Sequence, residues 1–113
     1  MKKIIMIIAV VFFGLSAQAQ EKKNKNAKYT IDVNGNCEMC KKRIEKAAYG
    51  VSGVKSAVWD TGTHELSLIL NEQKTSLLDV EKSVVKVGHD TKRVKATQEA
   101  YDKLHGCCLY ERN

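Results

Sequence analysis

Apolar residues recur at every second position over residues 29–33 (YTIDV). After Asn34-Gly35-Asn36 they recur at helical spacing, through Ile44, Ala47 and Ala48. A half-buried strand must therefore hand over to a helix within a few residues. The changeover carries two thiols, Cys37 and Cys40, at C-x-x-C spacing. With Cys37 in the loop and Cys40 in the first helical turn, both sulfurs can point at one spot. The helix N-terminus adds partial positive charge there, and Lys41, Lys42 and Arg43 add full charges; all of this favours thiolate over thiol. Two converging thiolates suit a soft ion of low coordination number. They equally suit a reversible disulfide.

The same two periods continue along the chain. Residues 54–59 (VKSAVW) read as a second strand, with Val54, Ser56 and Val58 on one face and Lys55, Ala57 and Trp59 on the other. Asp60-Thr61-Gly62-Thr63 is a turn, and residues 65–70 form a third strand with Leu66, Leu68 and Leu70 inward, so the two pair as a hairpin. Gly50 is expected to end the first helix as a left-handed cap. Thr75 or Ser76 caps a second helix running to Val87, with Leu77, Val80, Val84 and Val87 on its buried stripe, and Gly88 stops it. Residues 92–96, centred on Val94, are expected as a fourth strand. This order predicts an α+β, ferredoxin-like βαββαβ sandwich: an antiparallel four-stranded sheet with two helices on one face. Its expected core is Ile31, Val33, Ile44, Val54, Val58, Leu66, Leu68, Val80 and Val84. Thr97 then caps a short C-terminal helix, with Ala100, Tyr101 and Leu104 on its apolar side. The Cys-containing tail follows, anchored by Leu109 and Tyr110.

The ends of the chain bear on compartment. Met1-Lys2-Lys3 is basic, residues 4–15 are apolar apart from Gly14, and Ser16-Ala17-Gln18-Ala19 ends in an A-x-A pattern. Residues 1–19 are thus expected to be a signal peptide of an exported, periplasmic protein. The apolar run falls short of the roughly 20 residues a helix needs to span a bilayer, so no stable membrane insertion is expected after cleavage. Residues 20–27 are polar and charged and read as a flexible lead-in. The 113-residue chain has a formal net charge of +6. Export argues against nucleic acid as the partner of this basic surface and favours acidic protein faces or lipid headgroups.

The stretch G-N-C-E-M-C-K-K-R-I-E-K-A from Gly35, followed by G-V-S-G-V-K-S-A-V from Gly50, a hairpin, a helix and G-H-D at 88–90, resembles the heavy-metal-associated domain. That family includes copper chaperones, the periplasmic mercury-binding protein and the N-terminal modules of metal-exporting ATPases. The resemblance covers about residues 28–96 and leaves the helix and tail at 97–113 outside it. It implies a ferredoxin-like fold, Cys37 and Cys40 as the metal ligands, and Cu(I) as the usual ion, with Zn(II), Cd(II) or Hg(II) in some branches. It also implies a metallochaperone that passes its ion to a transporter or acceptor protein. The family commonly has Met two residues before the first Cys, where this chain has Gly35. That difference predicts a looser loop.

Further donors surround this pair in the sequence. Met39, between the two cysteines, is a candidate thioether ligand or a packing residue. In the family, the loop after the second helix approaches the metal loop, which makes His89 a candidate third ligand; otherwise it is a helix C-terminal histidine on the surface. His64, in the hairpin turn, is expected on the surface at the far end of the sheet. His105, Cys107 and Cys108 place three further donors in four residues. One of them can add to the first site, or the segment can hold a second ion. The alternative is a disulfide, from the tail to Cys37 or Cys40 or between Cys107 and Cys108. A metal-bridged homodimer sharing an ion through Cys37 and Cys40 is a further arrangement. Lys41, Lys42, Arg43 and Lys46 form a basic face that can dock an acidic partner or simply be solvated. No catalytic triad, carboxylate pair or phosphate loop is present, so a non-enzymatic role is expected. The competing readings of the cysteines are a thiol-disulfide oxidoreductase and a disulfide-stabilised domain. Against the former, the chain has no proline for a cis-Pro loop opposite the C-x-x-C.

Overall fold

The computed structural model describes residues 23–112, so the expected signal segment at 1–19 lies outside the described residues. The elements are β1 (Ala27–Asp32), α1 (Glu38–Tyr49), β2 (Val54–Trp59), β3 (Glu65–Leu70), α2 (Leu77–Lys86), α3 (Gln98–Asp102) and a 3-10 turn at Gly106–Cys108. The strands form a three-stranded antiparallel sheet in the order β1-β3-β2. Pairing β1 with β3 brings the end of β1, the start of β3 and the N-terminus of α1 to one end of the molecule. That end carries the cysteines.

The alternation in β1 and β3 and the 3.6-residue stripes of α1 and α2 meet in one core. Val33, Ile44, Ala48, Trp59, Leu66, Leu68, Leu70, Val80 and Val84 are buried within it. Each large side chain contributes on the order of 1.5–3 kcal/mol by leaving water. Ser76 caps α2 through a hydrogen bond from the Asp79 amide (3.2 Å). Gly88, at φ +104, ends the segment in a conformation that disfavours other residues. Among the described residues, no helix is long and apolar enough to cross a membrane.

Several expectations change. Residues 92–96 do not form a fourth strand; among the described residues the outer edge of β1 has only an isolated bridge, Val33 to Thr91. The backbone groups a ladder would use are spent in a tight turn. The Thr91 amide donates to the Val94 carbonyl (2.9 Å) and the Val94 amide to Thr91 Oγ1 (3.0 Å). Thr91 Oγ1 also donates to buried Glu81 (3.0 Å), which pairs with Arg93. A lone Val94 offers no alternating face to outweigh these bonds.

Val58 is not in the core; it is 54% exposed. A register shift between Val54 and Ser56 inserts an extra residue into β2, and a one-residue slip inverts every later side chain. Ala57 and Trp59 face inward instead. Gly50 does not adopt the left-handed conformation (φ −70°, ψ −13°); the positive φ falls three residues later, at Gly53 (φ +103). The polar lead-in is anchored where it is described: the Asn24 amide donates to Glu72 Oε1 (3.1 Å), the Glu72 amide donates to the Asn24 carbonyl (2.9 Å), and β1 begins at buried Ala27.

Candidate metal centre

Cys37 occupies the N-cap of α1, with extended backbone (φ −130, ψ −179), and Cys40 lies in the first turn and is fully buried. Their sulfurs are 3.6 Å apart. The Cys37 thiol is pulled down to about 6, chiefly by the Cys40 backbone amide, with the neighbouring thiols adding to the effect against the cost of burial. The amide acts as an electrostatic pull; no capping hydrogen bond of good geometry forms. This is the activation expected of a thiol at a helix N-terminus. Cys37 is therefore the half-buried, readily ionised member of the pair and Cys40 its buried support.

The floor of the site is Trp59. It is fully buried, and its indole N–H donates to the Val33 carbonyl (3.0 Å). A Cβ on Gly35 would lie 3.1 Å from the Trp59 ring and 3.1 Å from Cys40 Cβ. Gly35 is thus backbone laid against an indole. The bulky residue that fills this region comes from β2, so the loop is packed rather than looser. His64, expected at the far end of the sheet, is at this end: its ring stacks on Trp59 with centroids 5.4 Å apart, and the Val33 amide donates to its carbonyl (2.9 Å). The antiparallel β1–β3 pairing requires it.

The tail returns to the same place. Cys108 is fully buried, and its sulfur is 3.6 Å from that of Cys37. Exposed Cys107 lies 3.3 Å from Cys37 and 3.9 Å from Cys108, sulfur to sulfur. Burial, reinforced by the nearby thiols, pushes the Cys108 thiol up, and the bond with Cys37 pushes Cys107 up. All four cysteines are free thiols. Among the described residues, Cys37, Cys40 and Cys108 form a group of three donors whose atoms all lie within 4.8 Å of one another. A metal–sulfur distance of about 2.3 Å puts the sulfurs of a trigonal site roughly 4 Å apart, so the cluster matches a soft ion.

The other candidate donors stand outside that group. Met39 is 43% exposed, with its sulfur 3.5 Å from that of Cys107. His89 is buried rather than at the surface. Its Nδ1 is bonded to the Asn34 carbonyl (2.8 Å), and its Nε2 is buried without a partner. Burial lowers its pKa, so the ring is neutral, and it braces the loop before Cys37. His105 is exposed at the start of the 3-10 turn, where its carbonyl accepts from the Cys108 amide (2.8 Å). Tyr110 anchors the tail as expected, but the Leu109 side chain is 44% exposed; its backbone is what is engaged, the carbonyl accepting from Asn36 Nδ2 (2.8 Å) and the amide donating to the Gly106 carbonyl (3.3 Å).

Sequence reasoning missed Trp59 and the partners of the tail. The Tyr110 hydroxyl donates to the Gly88 carbonyl (2.7 Å) and accepts from the Asp90 amide (2.8 Å). Arg112 grips both oxygens of buried Asp90 (2.9 Å each) and donates to the Ala96 carbonyl (2.6 Å). The G-H-D stretch and an arginine closing the tail were the visible signals for this clamp.

The fold and the thiol cluster define a soft-metal-binding domain. The heavy-metal-associated domain family matches residues 30–95, and the chain belongs to that family: a heavy-metal-binding, chaperone-like domain with a cysteine pair for metal. Its frame is the family's ferredoxin-like α+β fold, built here with three strands. Among solved structures, the N-terminal domain of a potential copper-translocating P-type ATPase from Bacillus subtilis, in its Cu(I)-loaded state, is 28% identical. It covers 72% of this chain and 98% of its own, with a TM-score of 0.57. The CopZ metallochaperone is 23% identical over 57% of this chain and 98% of its own, with a TM-score of 0.56. Oxidised MerP from Ralstonia metallidurans CH34 is 22% identical over 58% and 96%, with a TM-score of 0.51. The last two likenesses concern the fold alone. No curated protein matches.

Proposed function

We propose that this chain is an exported, periplasmic carrier of a soft metal ion, Cu(I) before Zn(II), Cd(II) or Hg(II), held by Cys37 and Cys40. The observation that carries this reading is the convergence of two thiols at the N-terminus of α1, one activated and half-buried, the other fully buried. Delivery follows by ligand exchange. A deprotonated thiol of the acceptor bonds to the ion, the Cys37–metal bond breaks, and the Cys40 bond breaks last. Each chelate sulfur is replaced by one from the acceptor, so no redox change or catalysis is involved. The copper-transporting relatives favour Cu(I), and the 1–19 leader favours the periplasm.

The acceptor we envisage is an acidic face of a metal-exporting transporter or a soluble acceptor. Lys42 and Lys46 are exposed beside Met39 on a groove between α1 and α2 lined also by Arg43, Ser83 and Val87. Lys41 is not free for docking: it is held by Glu45 (2.5 Å) and the Trp59 carbonyl (2.9 Å). The test is competition between the reduced protein and a chromophoric Cu(I) chelator. Cys37→Ser and Cys40→Ser should each weaken Cu(I) binding sharply, and His89→Gln should leave it nearly unchanged. Equal affinities for all of these would refute the assignment.

A second reading is thiol-disulfide exchange, favoured by one observation: the activated Cys37 sulfur lies 3.3 Å from Cys107 and 3.6 Å from Cys40. Turnover in an insulin-reduction assay would establish it in place of the carrier.

A further inference from the structure

We infer that the C-terminal segment is a built-in ligand arm: Cys108 completes a three-sulfur site with Cys37 and Cys40, and the Asp90–Arg112–Tyr110 clamp holds it in place. This inference rests on the carrier reading and extends it. The arm lies beyond residues 30–95, the part that matches the family, so nothing about the domain itself requires a third thiol.

Three independent features support it. The first is spacing. A linear two-coordinate ion with bonds of about 2.3 Å needs its sulfurs roughly 4.6 Å apart, and a trigonal one needs roughly 4 Å. Cys37 is 3.6 Å from both Cys40 and Cys108, which is nearer the trigonal figure on both edges.

The second is burial. Cys40 and Cys108 are fully buried and Cys37 is half-buried, so the ion would sit beneath the tail rather than on an open loop. Cys107 lies 3.3 Å from Cys37 and 3.9 Å from Cys108, but it is exposed and does not join the group that contains Cys40. Successive side chains diverge, and of the pair it is Cys108 that turns inward.

The third is the way the arm is tied down. Asp90, 1% exposed, takes Arg112 through both carboxylate oxygens and accepts the Ala96 amide as well (2.7 Å). Tyr110, 6% exposed, bonds to Gly88 and Asp90 on the loop after α2. The Tyr101 hydroxyl donates to the Tyr110 carbonyl (2.5 Å), and the Arg112 guanidinium lies over the Tyr101 ring at 4.9 Å. A solvated tail has no use for a bidentate ion pair to a buried carboxylate. Here it fixes the chain four residues beyond Cys108, as supporting bonds fix the ligands of a metal site. Asp90, Tyr110 and Arg112 are positioning residues.

The arm changes the kinetics of a carrier. With three sulfurs the ion is retained until the tail swings out, which leaves the two-sulfur chelate open to an acceptor. The Cys108–metal bond breaks, its sulfur takes up a proton from solvent, and an acceptor thiolate occupies the vacated position.

The experiment uses the reduced chain with one equivalent of Cu(I), read by copper-edge X-ray absorption and by release to a chelator. Wild type should show three sulfur neighbours. Cys108→Ser should show two, with faster release. Arg112→Ala, which keeps all four thiols, should weaken Cu(I) binding by about tenfold and speed release, as loss of an outer supporting contact does. Cys107→Ser should behave as wild type.

Two sulfurs in wild type would overturn the arm while leaving the carrier reading intact; the same holds if Cys108→Ser matches wild type. If Cys107→Ser alone loses a sulfur, the assignment to Cys108 is wrong. Failure of wild type to bind Cu(I) at all would instead remove the carrier reading. Should Cys108→Ser not fold, the wild-type sulfur count and Arg112→Ala decide the matter.

Discussion

Gly35→Ala probes the packing on which the two thiols rest. The new Cβ would meet Cys40 Cβ and two Trp59 ring carbons, all at 3.1 Å, inside the ordinary carbon contact distance of about 3.5–4.0 Å. Neither neighbour gives way easily. Trp59 is fully buried and would have to break its 3.0 Å bond to the Val33 carbonyl; Cys40 is fixed in the first turn of α1. Overpacking of this kind costs about 1–3 kcal/mol. At a urea m-value of about 1–3 kcal/mol/M, that lowers the unfolding midpoint by roughly 1 M. Trp59 is the single tryptophan, so its fluorescence reports unfolding of reduced, metal-free protein directly. Trp59→Leu makes room beside Gly35. In that background, followed by circular dichroism, Gly35→Ala should lose most of its cost, giving a coupling energy of about 1–3 kcal/mol. A Gly35→Ala protein as stable as wild type would refute the packing argument. So would strict additivity of the two substitutions.

Three other outcomes follow from the site. In reduced, metal-free protein, iodoacetamide should modify Cys37 first, with a rate that climbs as pH rises through about 6; equal labelling of all four thiols by mass spectrometry would contradict its activation. His89 is held below its ordinary value by burial, opposed by the Asn34 carbonyl and aided by the Arg43 charge. Because the unfolded chain binds that proton more readily, its contribution to stability is complete above an unfolded pKa of about 6.5 and is lost as pH falls below that toward the lower folded value. His89→Gln should therefore flatten the acid side of the stability profile; an unchanged profile would place the titration elsewhere. Lys42→Glu/Lys46→Glu should slow Cu(I) delivery to an acidic acceptor at low salt while leaving Cu(I) affinity unchanged, and equal transfer rates at low salt would remove the docking role.

Much of this was legible along the chain because it is local. Alternation in β1 and β3, the apolar stripes of α1 and α2, the Ser76 cap and Gly88 each follow from neighbours a few residues away. The convergence of Cys37 and Cys40 follows from a strand meeting a helix. What escaped depends on distant partners. An extra residue in β2 leaves no mark in VKSAVW, yet it exchanges Val58 for Ala57 and Trp59 at the core. The fourth strand failed because Thr91 and Arg93 bond to Glu81, a preference set by a helix ten residues upstream. His64 could have been placed correctly from the topology alone, since antiparallel pairing of β1 and β3 sends the β2–β3 hairpin to the end where β1 stops. The tail donors were visible as residues, but which cysteine turns inward was not. That choice is made by Arg112 and Tyr110 gripping the loop after α2.

The central claim is that Cys37 and Cys40 hold the ion. Native mass spectrometry of the reduced protein, with limiting Cu(I) and Zn(II) in competition, tests it most directly when wild type is set beside Cys37→Ser/Cys40→Ser. The account predicts one Cu(I) on wild type and none on the double variant. Cu(I) retained in full by the variant would contradict it and move the site to His105, Cys107 and Cys108.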